Sequence, residues 1–208
     1  MIHKSSLKIA LPKGRMSDES LEYLFQRKIT SLSKFPDSRE LIFHDPENNI
    51  DFLIIRSQDV GTYVETGAAD LGFLGYDVLL ENSFSVYTAA SLPFGECHLS
   101  VAHPQNSLEW KNKRKIKVAT KYPNLTTRFF YQKGYNIQII KLYGSIEIAP
   151  IMGISDVIVD LVSTGKTLVA NGLVEDEKII ESSARLIIHP GSYHRKRKIL
   201  NHIIREMV

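Results

Sequence analysis

Short apolar runs that stop at a Gly, a Pro or a charged residue, each followed by a helical pattern, recur along the whole chain. Leu7 to Leu11 is the first. Pro12-Lys13-Gly14 breaks it, and Ser17-Asp18-Glu19-Ser20 opens an amphipathic helix through Leu21, Leu24 and Phe25. Leu41 to Phe43 and Phe52 to Ile55 read as strands and Asp59 to Ala69 as a helix. Leu71 to Leu74 is a strand ending at Gly75, with Asp77 to Glu81 helical after it. Further on, Leu99 to Ala102, Lys117 to Thr120, Ile137 to Leu142, Val157 to Val162 and Leu186 to Ile188 read as strands. Helices are expected at Asn124 to Gln132, with Asn124 as the cap, at Ile146 to Met152 and at Lys196 to Met207. Such alternation implies an α/β fold with mostly parallel sheets.

The rhythm changes twice. Between Leu92 and His98 stand Pro93 and Gly95, and Glu175 to Ser183 is charged and polar. These breaks read as two crossings between α/β lobes. Lobe I would comprise residues 1–92 plus 184–208, and lobe II residues 93–183, with a cleft between them. Clefts of this kind are favoured ligand sites. Trp110 to Lys115 reads as a solvated loop. The basic run Tyr193 to Lys198 reads as a solvated face that could meet an acidic partner.

Bulk properties narrow the class. Hydrophobic residues make up 43% of the 208-residue chain, enough for a real core. A net charge of +3 is too mild to argue for nucleic acid, but suits a few basic groups gathered around an anion. Cys97 is the only cysteine, which fits a reducing compartment. No signal peptide and no membrane span are evident, so a soluble cytoplasmic protein is expected. The His residues show no metal-ligand spacing, and no protein side chain is assigned to a metal.

The stretch from Asp156 to Thr167 carries the sharpest chemistry. An apolar run reaches Asp160, and a hydroxyl- and glycine-rich turn follows: Ser163, Thr164, Gly165, Lys166 and Thr167. Gly165-Lys166-Thr167 imitates the end of a nucleotide-binding P-loop, but Asp160 stands where that loop needs its first Gly. A carboxylate there would repel a triphosphate. The remaining pattern suits a phosphate cradle, with hydroxyls and backbone N–H groups facing an anion and Asp160 beside it for sugar hydroxyls. It suits a Ser/Thr helix cap equally well.

In parallel sheets ligands sit beyond the carboxyl ends of the strands. Those ends carry Lys13, Gly14 and Arg15, then Arg56, then Asp77 after the Gly72–Gly75 strand. Cations on consecutive strand ends favour a polyanion site over solvated loops. Ala119 to Asn124 is another strand end. Lys141 to Glu147 is a further one, where Ser145 could cap a helix and Glu147 is either a helix-start charge or a site carboxylate.

Together these segments resemble the ATP phosphoribosyltransferase family. The resemblance rests on Leu11-Pro12-Lys13-Gly14-Arg15, Asp59-Val60, Tyr63-Val64-Glu65, Gly67 to Gly72, Asp77 to Glu81, Ala119 to Asn124, Ile140 to Ser145, Asp156 to Thr167 and Ala170-Asn171-Gly172-Leu173. It implies a two-lobed fold of the type II periplasmic-binding-protein kind. It also implies a reaction joining N1 of the adenine of ATP to C1 of phosphoribosyl pyrophosphate, with release of pyrophosphate, at the first step of histidine biosynthesis. Mg²⁺ would enter with the substrate. Arg56 with Lys13 or Arg15 would stabilise the leaving group, while Asp160, Ser163 to Thr167, Glu147, Asp77 and Gly14 would bind substrate. The length resembles the short form of the family, implying a homodimer that assembles with a regulatory subunit related to histidyl-tRNA synthetase. Two departures stand out: Gly61 where the family often has Pro, and Tyr76 where it often has Lys. The rival class is a non-catalytic binding protein of the same shape, and a second alternative is a phosphoribosyltransferase with another acceptor base.

Overall fold

The computed structural model describes residues 6–105 and 107–207. The chain divides into two compact units. The first comprises Met1–Leu79, Ser83–Gly95 and Ser183–Val208; the second comprises Leu80–Asn82 and Glu96–Ser182.

The first unit is built on a six-stranded sheet. Its strands are β1 (Leu7–Pro12), β2 (Ile42–Asp45), β3 (Ile50–Ile55), β4 (Leu71–Gly75), β5 (Tyr87–Ser91) and β11 (Ala184–Ile188), in the order β2-β3-β1-β4-β11-β5. Its helices are α1 (Arg15–Gln26), α2 (Val60–Glu65), α3 (Tyr76–Glu81, whose last residues belong to the second unit), α7 (Pro190–Arg195) and α8 (Arg197–Met207). Side chains alternate between the faces of a strand, and the core follows that period. Leu7, Ile9 and Leu11 of β1 pack with Leu21 and Leu24 of α1 and Leu200 and Ile203 of α8. Ala10, between them, faces Val60 and Val64 of α2 and Val78 of α3.

The second unit carries a five-stranded sheet of β6 (Cys97–Pro104), β7 (Ile116–Thr120), β8 (Ile137–Lys141), β9 (Val157–Val162) and β10 (Leu173–Ser182), in the order β10-β6-β9-β7-β8. Its helices are α4 (Pro123–Gln132), α5 (Ile148–Ile151) and α6 (Lys166–Ala170).

Both sheets are mixed, which corrects the expectation of mostly parallel pairing. β1 runs parallel to β3 and β4, and β7 to β8 and β9; every other pairing is antiparallel. The charged stretch Glu175 to Ser183, read as a break, lies almost wholly in β10. This is an edge strand whose charges are met from outside: Glu175 accepts from Ser100 Oγ and pairs with His98, Asp176 pairs with Lys111, and Glu177 with Lys133. Trp110 is not in a solvated loop either. It sits in a 3₁₀ turn (Leu108–Asn112), buried against Phe130 and Tyr135. The helix expected over Asp59 to Ala69 is shorter, since a 3₁₀ turn (Ser57–Asp59) leads into α2, which ends at Glu65.

Helix α4 is capped from a distance. Tyr122, not Asn124, is its N-cap, with Pro123 at the first position. The buried carboxylate of Glu81 accepts from Asn124 N and Leu125 N, each at 2.9 Å, and the Glu81 carbonyl accepts from Asn124 Nδ2. A carboxylate on the first-turn N–H groups satisfies orphan donors and the helix dipole together. Ser145 caps nothing: it holds a left-handed φ of 50°, and Glu147 is the N-cap of α5.

Asp45, fully buried at the end of β2, ties the long 27–41 connection to the sheet. It accepts from Thr30 Oγ1 (2.6 Å), Ser31 Oγ (2.7 Å), Ser31 N (2.8 Å) and Asn48 Nδ2 (3.0 Å). Burial pushes its carboxyl up, but these donors outweigh burial and hold it at about 2. A carboxyl depressed in the folded state contributes stability above its unfolded value, and that contribution is lost as pH falls through the folded value. Asp45 therefore supports roughly 2 kcal/mol that disappears between about pH 4 and pH 2. Urea titrations across that range should show a flatter acid limb for Asp45→Asn than for the wild type; parallel limbs would contradict the assignment.

The Gly61 departure has a local cause. A methyl group there would run into the Phe84 ring, which packs against the α2 side of the core. Gly61→Ala is expected to destabilise by about 1–3 kcal/mol through overpacking. In a Phe84→Ala background the same change should stabilise by up to about 1 kcal/mol, because Ala then contributes only helix propensity. Denaturation of the four proteins of this cycle checks the change of sign.

Candidate active site

In the second unit, β9 delivers Asp160 and then ends at Val162, and the turn to α6 follows. Gly165 is the N-cap of α6 and holds a left-handed φ of 70°, a conformation open to glycine without strain. No side chain caps α6, so the Ser/Thr helix-cap reading does not hold. Ser163, Thr164, Lys166 and Thr167 are exposed, and among the described residues the three hydroxyls have no hydrogen-bond partner. The turn thus presents uncommitted donors beside the first N–H groups of a helix. Such groups point outward and favour an anion.

Asp160 stands just before that turn. Its Oδ1 accepts from Leu161 N at 2.8 Å and lies 3.5 Å from Lys121 Nζ. Burial pushes its carboxyl up; the Lys121 charge and the Leu161 N–H pull it down, the Glu147 charge adds to the rise, and the net direction is upward. The two carboxylates are therefore electrostatic neighbours. Oδ2 accepts no hydrogen bond among the described residues and can take one from a hydroxyl donor.

Lys121 is the residue that strand-end reasoning passed over. β7 and β9 run parallel with Thr120 opposite Val159, so the next residues, Lys121 and Asp160, emerge side by side. Thr120 fixes that junction: its Oγ1 donates to Val159 O at 2.7 Å and accepts from Tyr122 N at 2.9 Å. The parallel pairing of two short apolar runs was the signal, and it could not be read before their register was known.

In the first unit, Lys13, Gly14 and Arg15 follow β1, and Arg56 follows β3. The strands run in step, Pro12 opposite Ile55, and Lys13 N donates to Ile55 O. Lys13, Arg15 and Arg56 are all exposed. Arg15 is engaged with Glu19 one turn along α1 at 3.4 Å, while Lys13 and Arg56 have no side-chain partner among the described residues. Gly14 has a φ of 102° and ψ of −158°, which glycine alone reaches readily. Asp77 lies in the first turn of α3 and is buried, with its carboxylate over Gly75. Among the described residues no group of three His, Cys, Asp or Glu side chains could hold a metal ion. No helix there is long and apolar enough to cross a membrane.

Residues 56–208 match the family model described as ATP phosphoribosyltransferase. The chain belongs to the ATP phosphoribosyltransferase family. It is 46% identical over 204 residues to the ATP phosphoribosyltransferase of Syntrophotalea carbinolica, covering 95% of this chain and 92% of that one. The Halalkalibacterium halodurans relative is 45% identical, covering 98% and 96%. Among solved structures, a chain of the ATP phosphoribosyl transferase (HisG:HisZ) complex from Thermotoga maritima superposes with a TM-score of 0.81. It is 33% identical over 97% of this chain and 96% of its own. The periplasmic aliphatic sulphonate binding protein SsuA from Escherichia coli gives a TM-score of 0.67 at 14% identity, over 99% of this chain and 72% of its own. That likeness shows the fold alone, one shared with a periplasmic binding protein.

Within the ATP phosphoribosyltransferase framework, the Asp160–Lys121 pair yields a direct test. Lys121→Met removes the charge that counters burial, so the Asp160 carboxyl should titrate higher than in the wild type. Carboxyl-carbon NMR across pH checks the direction; an unmoved or lower midpoint would contradict it.

Proposed function

We infer that the protein is the ATP phosphoribosyltransferase of the first step of histidine biosynthesis, joining N1 of ATP adenine to C1 of phosphoribosyl pyrophosphate. Membership of the family over residues 56–208 supports the reaction. The observation that carries the site is the uncapped Ser163–Thr167 turn directly after Asp160. In this reading the turn binds the 5′-phosphate and Asp160 Oδ2 accepts from a ribose hydroxyl, with Glu147 as the second acceptor.

The chemistry asks little more of the chain. Adenine N1 brings its own lone pair, which forms the bond to C1 as the C1–O bond breaks and its electrons leave with pyrophosphate. No general base is needed for that step. Negative charge grows on the leaving group, and preorganised charge aimed at it is commonly the largest catalytic contribution. Lys13 and Arg56, with Arg15 once it releases Glu19, are the residues this reading assigns to supply that charge. Gly14 allows close backbone approach, and Asp77 holds the end of β4 in shape for substrate. Mg²⁺ enters as part of the polyphosphate substrate. Orientation of the two reactants supplies much of the remaining acceleration.

The family chain from Thermotoga maritima stands in a HisG:HisZ complex. That likeness supports reading this chain as the catalytic subunit of a hetero-oligomer with a regulatory subunit.

Incubation with ATP, Mg²⁺ and phosphoribosyl pyrophosphate should yield the N1-adduct, read by ultraviolet absorbance; release of pyrophosphate without it would point to another acceptor. Thr164→Ala with Thr167→Ala should raise KM for phosphoribosyl pyrophosphate about a hundredfold or more, as expected for two lost hydrogen bonds to a charged group. Arg56→Ala should lower kcat more than it raises KM. A pure KM effect would move Arg56 to ground-state binding.

A further inference from the structure

We propose that Arg185 is an additional anion-binding residue of the first unit, gripping polyphosphate oxygens, and that Tyr76 positions it. This rests on the reading above that polyphosphate is met at the strand ends of that unit.

The topology puts Arg185 at the right edge. β11 runs antiparallel to β4, with Ala184 opposite Gly75 and Arg185 opposite Leu74. The start of β11 therefore lies where β1, β3 and β4 end, the edge that carries Lys13 and Arg56. In the order β3-β1-β4-β11, Arg56 and Arg185 are three strand spacings apart, roughly 14 Å across the sheet. Ala184 and Leu186 pack into the core with α1 and α8, while Ile187 packs with α2 and α3. By alternation Arg185 lies on the α2–α3 face, at the start of α3.

Its guanidinium is held in one orientation. The central carbon lies 4.4 Å from the centroid of the Tyr76 ring. Nη1 donates to Ser183 Oγ at 2.7 Å, Ala184 O at 3.1 Å and Ser183 O at 3.2 Å. All three acceptors use the same nitrogen. Nε and Nη2 donate to nothing among the described residues, and no carboxylate there pairs with the charge.

This is an unusual state for a half-buried arginine. A partly desolvated charge is a cost to the fold unless it is paired. Arg185 is stacked and anchored on one side and left unneutralised on the other. A planar fork fixed in this way suits two oxygen atoms of one phosphate. Tyr76 gives the guanidinium its stacking surface, which assigns that position a role: it fixes the orientation of a neighbouring positive charge. The ligand chemistry is a Mg²⁺-bound polyphosphate, either the pyrophosphate of one substrate or the triphosphate of the other.

Calorimetric titration of the full chain with Mg-pyrophosphate, Mg-ATP and uncharged adenosine tests this. The proteins are the wild type, Arg185→Gln, Arg185→Lys, Tyr76→Phe and Tyr76→Leu, each with its unfolding midpoint measured. Arg185→Gln should weaken at least one polyphosphate about tenfold or more, the value of hydrogen bonds to a charged group, with adenosine unchanged. Loss confined to pyrophosphate marks the leaving-group position; loss confined to Mg-ATP marks the triphosphate. Arg185→Lys should fall between wild type and Arg185→Gln, Tyr76→Phe should match wild type, and Tyr76→Leu should lose affinity severalfold without change at adenosine. Unchanged polyphosphate binding by Arg185→Gln, equal losses for adenosine, or a wild type that binds neither polyphosphate would overturn the proposal. If the wild type makes the N1-adduct and Arg185→Gln keeps its kinetic constants, the inference fails while the enzyme reading stands. If polyphosphate binding depends on Arg185 but no adduct forms, the enzyme reading fails and the inference stands.

Discussion

In-step parallel pairing is the constraint on which the candidate site depends. A parallel pair that ends in register releases its next residues at one edge, side by side. β7 and β9 do so with Thr120 opposite Val159, and Lys121 then stands 3.5 Å from Asp160. β1 and β3 do so with Pro12 opposite Ile55, and Lys13 and Arg56 follow. The antiparallel strands complete this arrangement: β11 enters the first sheet from the edge where the parallel strands leave it, bringing Arg185 to the same row. Slipping either parallel pair by one residue would turn each buried side chain to the wrong face, so the core fixes the site.

Carboxylates divide by what surrounds them. Asp45, Asp70 and Asp156 are each saturated by donors, which outweigh burial and hold them low. Asp70 accepts from Lys8 N and Lys196 Nζ, and Asp156 accepts from Lys117 N and pairs with Lys113. These three tie backbone segments together. Asp160 is different: burial wins, a second carboxylate adds to the rise, and among the described residues one oxygen has no donor. Perturbation by desolvation and a specific neighbour is a mark of functional positions. Among the described residues the exposed hydroxyls of Ser163, Thr164 and Thr167 have no protein partner, which leaves them open to a ligand.

The strands that build this frame were legible because burial on both faces leaves continuous apolar runs, as in Phe52 to Ile54 and Val157 to Val159. Of the edge strands, β2 and β8 were legible, while β5 and β10 were not. β10 carries Glu175, Asp176 and Glu177, whose partners lie far off in the sequence, and Lys178 and Glu181, which pair with each other, and it is bulged twice against β6. A strand with that composition reads as a solvated break. Trp110 was hidden by the basic residues around it, although Lys111 lies over its ring and pairs with Asp176. Most candidate site residues were visible as strand-end charges or as the Ser163–Thr167 turn. Lys121 stood in a strand end with no role assigned and Arg185 was not singled out, because their significance lies in register and stacking. Gly61 reads as a departure in sequence and as a packing requirement once Phe84 is placed.

The central claim is that the turn after β9 is the receptor for ribose 5-phosphate. Amide NMR of the labelled protein titrated with ribose 5-phosphate alone tests it most directly. The account predicts saturable shifts at Leu161 and Ser163 to Thr167, with Lys13 to Arg15 and Arg56 unmoved. Shifts confined to Lys13 to Arg15 and Arg56, with the turn after Asp160 silent, would contradict it.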